Sequence, residues 1–356
     1  MDRADKGLAF LLQYENVAWY EHGAVKILDR RIYPGTVEFV TCESHGEVAR
    51  AIADMVTQSG GPYTAAGMGM ALAAYEARDM GGAQYREYME NAAYTLSHAR
   101  PTTVRRMESI TSGCLECALE AREAGNPPDE AVRKHTVSVL DARYRKIGLM
   151  AEYLADMFPA KGTVMTQCFG EAIVGLMLRA AARRGLDIKL ICPETRPYFQ
   201  GARLTASVAR DMGFDVTVIT DNMPAYTIQQ KKVDVFTSAA DAICMDGYVV
   251  NKVGTFQIAI VAKYFGVPYF VTGAPDRGHA AIGTVAIEER DPALCLEAMG
   301  VPTAMAGVKG YYPAFDATPP HLVSGVVTDR GVFSPYDLER YYKEDGEGEY
   351  GAGFLV

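Results

Sequence analysis

Cys168 follows the run Thr163-Val164-Met165-Thr166-Gln167 and precedes Phe169-Gly170-Glu171, so a thiol stands where an apolar, β-branched stretch gives way to a glycine. At a helix start such a thiol feels the helix dipole, which favours the thiolate and suits it to act as a base. The alternative is a small buried hydrophobe. Asp241 ends a second run, Val233-Asp234-Val235-Phe236-Thr237-Ser238-Ala239-Ala240, whose apolar and small residues would leave its carboxylate poorly hydrated. Burial raises a carboxyl pKa and fits the group to be a general acid near neutrality; the competing reading is an N-cap. Read this way, the two groups could serve as an acid/base pair that needs no metal and no cofactor.

Cations and amides gather at other element boundaries. Asn251-Lys252-Val253-Gly254-Thr255 runs directly into the apolar stretch Phe256 to Phe265. An ammonium, an amide and exposed backbone N–H groups at a helix start make an anion site; a solvated capping segment would look the same. Glu194-Thr195-Arg196-Pro197 and Gln200-Gly201-Ala202-Arg203-Leu204-Thr205 place more donors beside a second helix start, and Arg100-Pro101-Thr102-Thr103 adds a cation in the first half. Each alone could be a surface charge. As a set they suit a phosphate and several hydroxyls.

Three patterns carry no such chemistry. Gly67-Met68-Gly69 lacks the third glycine of a dinucleotide fingerprint and lies in a helix-like run, so it reads as close helix packing. Cys114 and Cys117 have no second pair at zinc spacing, and the six histidines are scattered. No metal site is expected.

The elements that must position these groups follow from periodicity. Val17 to Tyr20 and Val25 to Leu28 read as a small antiparallel β element. From Ser44 to Glu123 the spacing is helical, with Val48, Ile52, Met55 and Val56 on one face and Ala65 to Ala77 apolar nearly all round. After Gly125-Asn126-Pro127-Pro128, Ala131 to Phe158 reads as one long helix. Beyond Pro159, strands at Thr163 to Gln167, Ile188 to Cys192, Val216 to Thr220, Val233 to Ser238 and Pro268 to Thr272 alternate with helices at Gly170 to Arg184, Gly201 to Met212, Ala225 to Lys231 and Thr255 to Phe265. This rhythm predicts an α/β protein. A doubly wound, Rossmann-like parallel-sheet domain over 159–356 follows a smaller, mainly helical domain over 1–128 with a short β element, the two joined by a helix at 129–158. Ligands in such sheets bind at the carboxyl ends of the strands, where Cys168 and Asp241 fall.

Composition narrows the class. With 44 acidic against 35 basic side chains and a formal charge of -9, the chain lacks the cationic excess of a nucleic-acid surface. No apolar run approaches the roughly 18 residues of a membrane span, and Met1-Asp2-Arg3-Ala4-Asp5-Lys6 has no secretory core. Seven dispersed cysteines are not a disulfide framework and suit the reducing cytoplasm.

These blocks, with Thr220-Asp221-Asn222-Met223, Val17 to Tyr33, Glu288-Glu289-Arg290-Asp291-Pro292 and Pro313-Ala314-Phe315-Asp316-Ala317-Thr318-Pro319, resemble the methylthioribose-1-phosphate isomerases over nearly the whole chain. That family is related to ribose-1,5-bisphosphate isomerases and to the regulatory subunits of initiation factor 2B. The resemblance implies an aldose–ketose isomerase acting on a small-molecule sugar phosphate as a homodimer. It also implies a catalytic pair at Cys168 and Asp241, with substrate contacts at Arg100, Gln200, Asn251 and Lys252. The family's Arg-Gly-Ala-Pro phosphate loop reads Ser59-Gly60-Gly61-Pro62 here, which leaves backbone N–H groups as the anion donors, and Phe169-Gly170-Glu171 replaces the small polar residues after the cysteine. Losing a guanidinium and adding a carboxylate points to a 5-deoxy or otherwise modified pentose 1-phosphate. The alternative on the same fold is a non-catalytic sugar-phosphate or nucleotide sensor.

Overall fold

A computed structural model describes residues 3–100 and 104–343. The chain divides into two compact units, Met1–Arg145 and Lys146–Val356. The boundary falls inside a long helix, and each unit has its own core.

In the first unit, a short helix α1 (Tyr14–Val17) leads into an antiparallel sheet of β1 (Ala18–Glu21), β2 (Ala24–Leu28) and β3 (Phe39–Cys42). β3 has no place in the expected pattern, because two of its four residues are exposed and it shows little apolar alternation. α2 (His45–Ala53) starts at Ser44, whose hydroxyl accepts the Glu47 N–H, and it buries Val48 and Ile52. Met55 does not share that face: it lies past the helix end with φ +59. α3 (Gly61–Glu76) is buried on nearly every side, so α4 (Gly82–Ser97) and α5 (Val104–Glu123) pack around it. Gly67 and Gly69 serve close packing there, since a Cβ would come within 2.6 Å of Thr136 and 3.0 Å of Leu96. α6 (Pro128–Asp156) opens with proline followed by Asp129 and Glu130, residues that favour a helix N-terminus.

The second unit is built on a seven-stranded sheet. Its elements are, in chain order, β4 (Lys161–Met165), α7 (Ala172–Arg183), β5 (Asp187–Pro193), α8 (Ala206–Asp211), β6 (Asp215–Ile219), α9 (Pro224–Lys231), β7 (Val235–Ala239), β8 (Ala242–Ile243), β9 (Val249–Lys252), α10 (Thr255–Tyr264), β10 (Tyr269–Thr272), β11 (Glu297–Ala298), β12 (Val301–Pro302), β13 (Phe315–Thr318), β14 (Gly325–Thr328), β15 (Gly331–Phe333) and α11 (Arg340–Lys343). The spatial order is β15-β14-β10-β7-β4-β5-β6, parallel except for β15. This matches the expected doubly wound sheet, with an antiparallel edge strand added. β8, β9 and β13 form a separate antiparallel sheet, in which Asp316 faces Asn251 and Phe315 faces Lys252.

Candidate active site

The order of the parallel strands locates the site. From β4 the chain builds outward through β5 to β6, then returns to lay β7 against the other edge of β4. Winding therefore reverses between β4 and β7, and the crevice outside the carboxyl ends at such a reversal is where doubly wound sheets bind ligands. Cys168 lies just beyond β4 and Asp241 just beyond β7.

Cys168 has φ +59, and the neighbouring Glu171, Thr195 and Phe199 are also left-handed, at +54, +64 and +56. Non-glycine residues persist there only where surrounding structure over-determines them, and they cluster at functional sites. Thr195 Oγ1 accepts the Cys168 N–H at 3.2 Å, and the Thr205 hydroxyl donates to the Cys168 carbonyl. Gln200 precedes and Thr205 ends a π-turn, Gly201–Thr205, drawn tightly against β5: a Cβ on Gly201 would fall 1.8 Å from the Pro193 carbonyl oxygen. A small cavity of about 20 Å³ adjoins Cys168, lined by Ile173, Val174, Met177 and Ala239 among others.

The thiol does not behave as its helix-start position suggested. Burial pushes it up to about 11, outweighing the Lys252 charge and the Phe169 N–H that favour thiolate, while Asp241 and Asp221 push it further up. The sulfur therefore carries its proton at neutral pH. Lys252 is 4 % exposed, with Nζ 3.4 Å from the Tyr312 hydroxyl and 4.8 Å from the Phe315 ring centre. Burial holds its pKa down, and the Cys168 and Asp241 charges oppose that. Thiol and amine are thus electrostatically coupled in a poorly hydrated setting, where each makes the other's charged form less costly.

Asp241 departs from expectation too. Its backbone N–H donates to Val250 O at 2.8 Å, and the bend between β7 and β8 leaves the residue exposed. Its carboxyl therefore lacks the poorly hydrated setting that the sequence suggested. The carboxyl that burial does raise, to about 6, is Asp316. Asp316 accepts the Gly254 N–H at 2.6 Å and the Phe256 N–H at 3.2 Å, so it occupies the α10 start. Those backbone donors, expected to be open to an anion, are already used. Asn251 is buried, with Nδ2 donating to Thr255 Oγ1 at 3.0 Å. Gln200 is 6 % exposed, and its Oε1 has no hydrogen-bond partner among the described residues.

Cys168, Asp241, Gln200, Asn251 and Lys252 all belong to the second unit, and Cys168, Asp241 and Lys252 influence one another's charge. Ser59, Gly60, Gly61 and Arg100 belong to the first. Ser59 has φ +58, Gly60 precedes α3 and Gly61 begins it, and a Cβ on Gly61 would meet Thr57 Oγ1 at 1.9 Å and Arg30 Nη1 at 3.1 Å. Pro101, Thr102 and Thr103, read with Arg100 as a cationic helix start, lie outside the described residues. Glu171 stands at the N-cap position of α7 and is 3 % exposed, and its side chain makes no capping hydrogen bond there. Among the described residues no group of three or more His, Cys, Asp or Glu side chains could hold a metal ion, and no helix is long and apolar enough to cross a membrane.

Sequence reasoning quoted Asp221 and Arg290 only within blocks of resemblance, without a role, and passed over Tyr312. Asp221 accepts the Thr195 and Arg196 N–H groups at 2.8 and 2.7 Å. Arg290 is paired with Glu288 at 2.7 and 3.1 Å and feels Lys252. The partners of Asp221 and Tyr312 are remote in sequence, at 25 to 60 positions, so spacing carried no signal for them; Glu288 and Arg290 are two apart but meet Lys252 only through the fold.

The profile of the Initiation factor 2 subunit family matches residues 61–335. The chain belongs to that family. A methylthioribose-1-phosphate isomerase from Chloroflexus aurantiacus is 33% identical over 341 residues, covering 89% of this chain and 94% of the relative. One from Heliobacterium modesticaldum is 34% identical over 333 residues, covering 88% and 94%. The crystal structure of 5-methylthioribose 1-phosphate isomerase from Pyrococcus horikoshii superposes with a TM-score of 0.80 at 27% identity, covering 94% of this chain and 98% of that one. The translation initiation factor eIF-2B subunit delta from A. fulgidus superposes at 0.77 with 29% identity, covering 90% and 96%. The resemblance drawn from the sequence blocks therefore holds over most of the chain.

Proposed function

We propose that this protein is an aldose–ketose isomerase that converts a pentose 1-phosphate, either 5-methylthioribose 1-phosphate or a 5-deoxy or 5-modified ribose 1-phosphate, into the ketose 1-phosphate. The observation that supports this reading is that Cys168 and Asp241 follow the adjacent parallel strands β4 and β7, where the winding reverses, and that the Asp241 charge is felt at the thiol. Relatives that cover most of the chain and bear an isomerase name support it.

In a furanose 1-phosphate the anomeric oxygen carries phosphate, so the ring opens only if the ring oxygen is protonated as its bond to C1 breaks. Asp241 donates that proton. Cys168, after passing its own proton to solvent with the Lys252 charge favouring the thiolate, removes the C2 proton, which leaves an enol phosphate between C1 and C2. Transfer of that proton from Cys168 to C1, and of the C2 hydroxyl proton to Asp241, gives the ketone and restores Asp241, and the Cys168 thiolate regains its own proton from solvent. No electron acceptor is needed. Solvent deuterium at C1 of the product marks this route, and its complete absence marks a hydride shift from C2 to C1.

Proton NMR of the protein mixed with a panel of pentose 1-phosphates tests the assignment. Conversion of one of them to its ketose is expected; tight binding without conversion of any would make the protein a sensor. Asn251, Gln200 and Lys252 are the proposed substrate contacts in this unit, Lys252 for the phosphate. A charge-assisted contact contributes about 1.5–3 kcal/mol. Lys252→Met should therefore raise KM by roughly tenfold or more with a smaller change in kcat, and an unchanged KM would refute the contact.

A cytoplasmic, homodimeric protein is part of the same proposal. All seven cysteines are free thiols, as in reducing compartments. Tyr226 on α9 and Ile260 and Tyr264 on α10 are large apolar side chains left 70%, 47% and 82% exposed on helices that contact each other, a surface suited to a second copy.

A further inference from the structure

Cys168 keeps a left-handed backbone although glycine, the residue suited to it, stands two positions later. Both of its peptide groups are engaged by threonine hydroxyls brought from the end of β5 and from the π-turn beyond it. Thr195 Oγ1 accepts the Cys168 N–H at 3.2 Å while donating to Pro193 O at 3.2 Å, and the Thr205 hydroxyl donates to Cys168 O. Each hydroxyl hydrogen thus has one destination. Thr195 and Thr205 are 1 % and 0 % exposed, so water does not compete for these bonds. Thr195 is itself held left-handed, with its N–H on Asp221 Oδ1 at 2.8 Å.

We infer that Thr195 and Thr205 are positioning residues, a two-hydroxyl clamp that holds the Cys168 backbone in its strained conformation and so aims the sulfur at the substrate carbon. The inference rests on the reading of Cys168 as the group that reacts with substrate. A nonpolar replacement keeps the volume and removes the bond, after which the backbone at Cys168 can relax toward negative φ and carry the sulfur with it. Misplacement by about 1 Å can cost on the order of 100-fold in rate.

The test compares Thr205→Val and Thr205→Ser in the full chain by steady-state kinetics and by the iodoacetamide alkylation rate of Cys168, followed by mass spectrometry of its peptide. Thr205→Val is expected to lower kcat by about 10- to 100-fold with KM little changed, and to shift the alkylation rate several-fold. Thr205→Ser, which keeps the hydroxyl, should restore both. Unchanged kcat and alkylation in a folded Thr205→Val protein overturn the inference. If the valine variant does not fold, Thr205→Ala takes its place against Thr205→Ser: a slow alanine variant beside a normal serine variant supports the clamp, and equal behaviour refutes it. The alkylation rate also separates two failures. Wild-type turnover in Cys168→Ser would remove Cys168 from the chemistry, whereas a clamp that does not hold the thiol would show as alkylation insensitive to Thr205.

Discussion

Cys168→Ser is expected to lower turnover by about 10²- to 10⁴-fold, the range of a lost general base, while the protein stays folded. Serine nearly matches cysteine in size, and Cys168 is only half-buried, so little packing is lost. The backbone bonds to Thr195 and Thr205 use main-chain atoms and survive the change. What disappears is an accessible anion. The thiol, though pushed up to about 11, still ionises far more readily than an alcohol, and Lys252 lies within reach to favour its charged form. The loss should therefore fall on kcat, with KM nearly constant. Ketose formation read by proton NMR, beside a thermal midpoint within a few degrees of wild type, checks this. Wild-type turnover would remove the sulfur from the mechanism.

Asp241→Asn is expected to cost two or more orders of magnitude in turnover. The amide keeps the shape and the backbone bond to Val250 O but cannot deliver a proton to the ring oxygen. Because Asp241 is exposed, the change should alter stability by no more than about 0.5 kcal/mol. A loss of activity without loss of stability would then be a loss of chemistry. The half-buried carboxyl Asp316 is no substitute acid, since both the Gly254 and Phe256 N–H groups hold it at the α10 start. The pH dependence of kcat in the variant gives a second readout: the limb that reports a carboxyl acid should vanish. If Asp241→Asn turns over at the wild-type rate with its pH profile intact, ring opening does not use this residue.

The sequence by itself determined the rhythm of the second unit and the identity of the residues at its strand ends. Short β-branched runs alternating with helical stretches carry their own period, so β4, β5, β6, β7 and β10 lie within two or three residues of their expected places. That rhythm alone put Cys168 and Asp241 at carboxyl ends. The tertiary structure decided what these groups experience. Burial that pushes up the Cys168 thiol comes from surrounding elements, as does the bend that leaves Asp241 exposed. Asp316 fills the α10 start from 62 positions away, and Thr205 reaches Cys168 across 37. Periodicity reports which face of an element is apolar. Desolvation and hydrogen-bond partnership depend on which distant segments meet, and no local pattern encodes that.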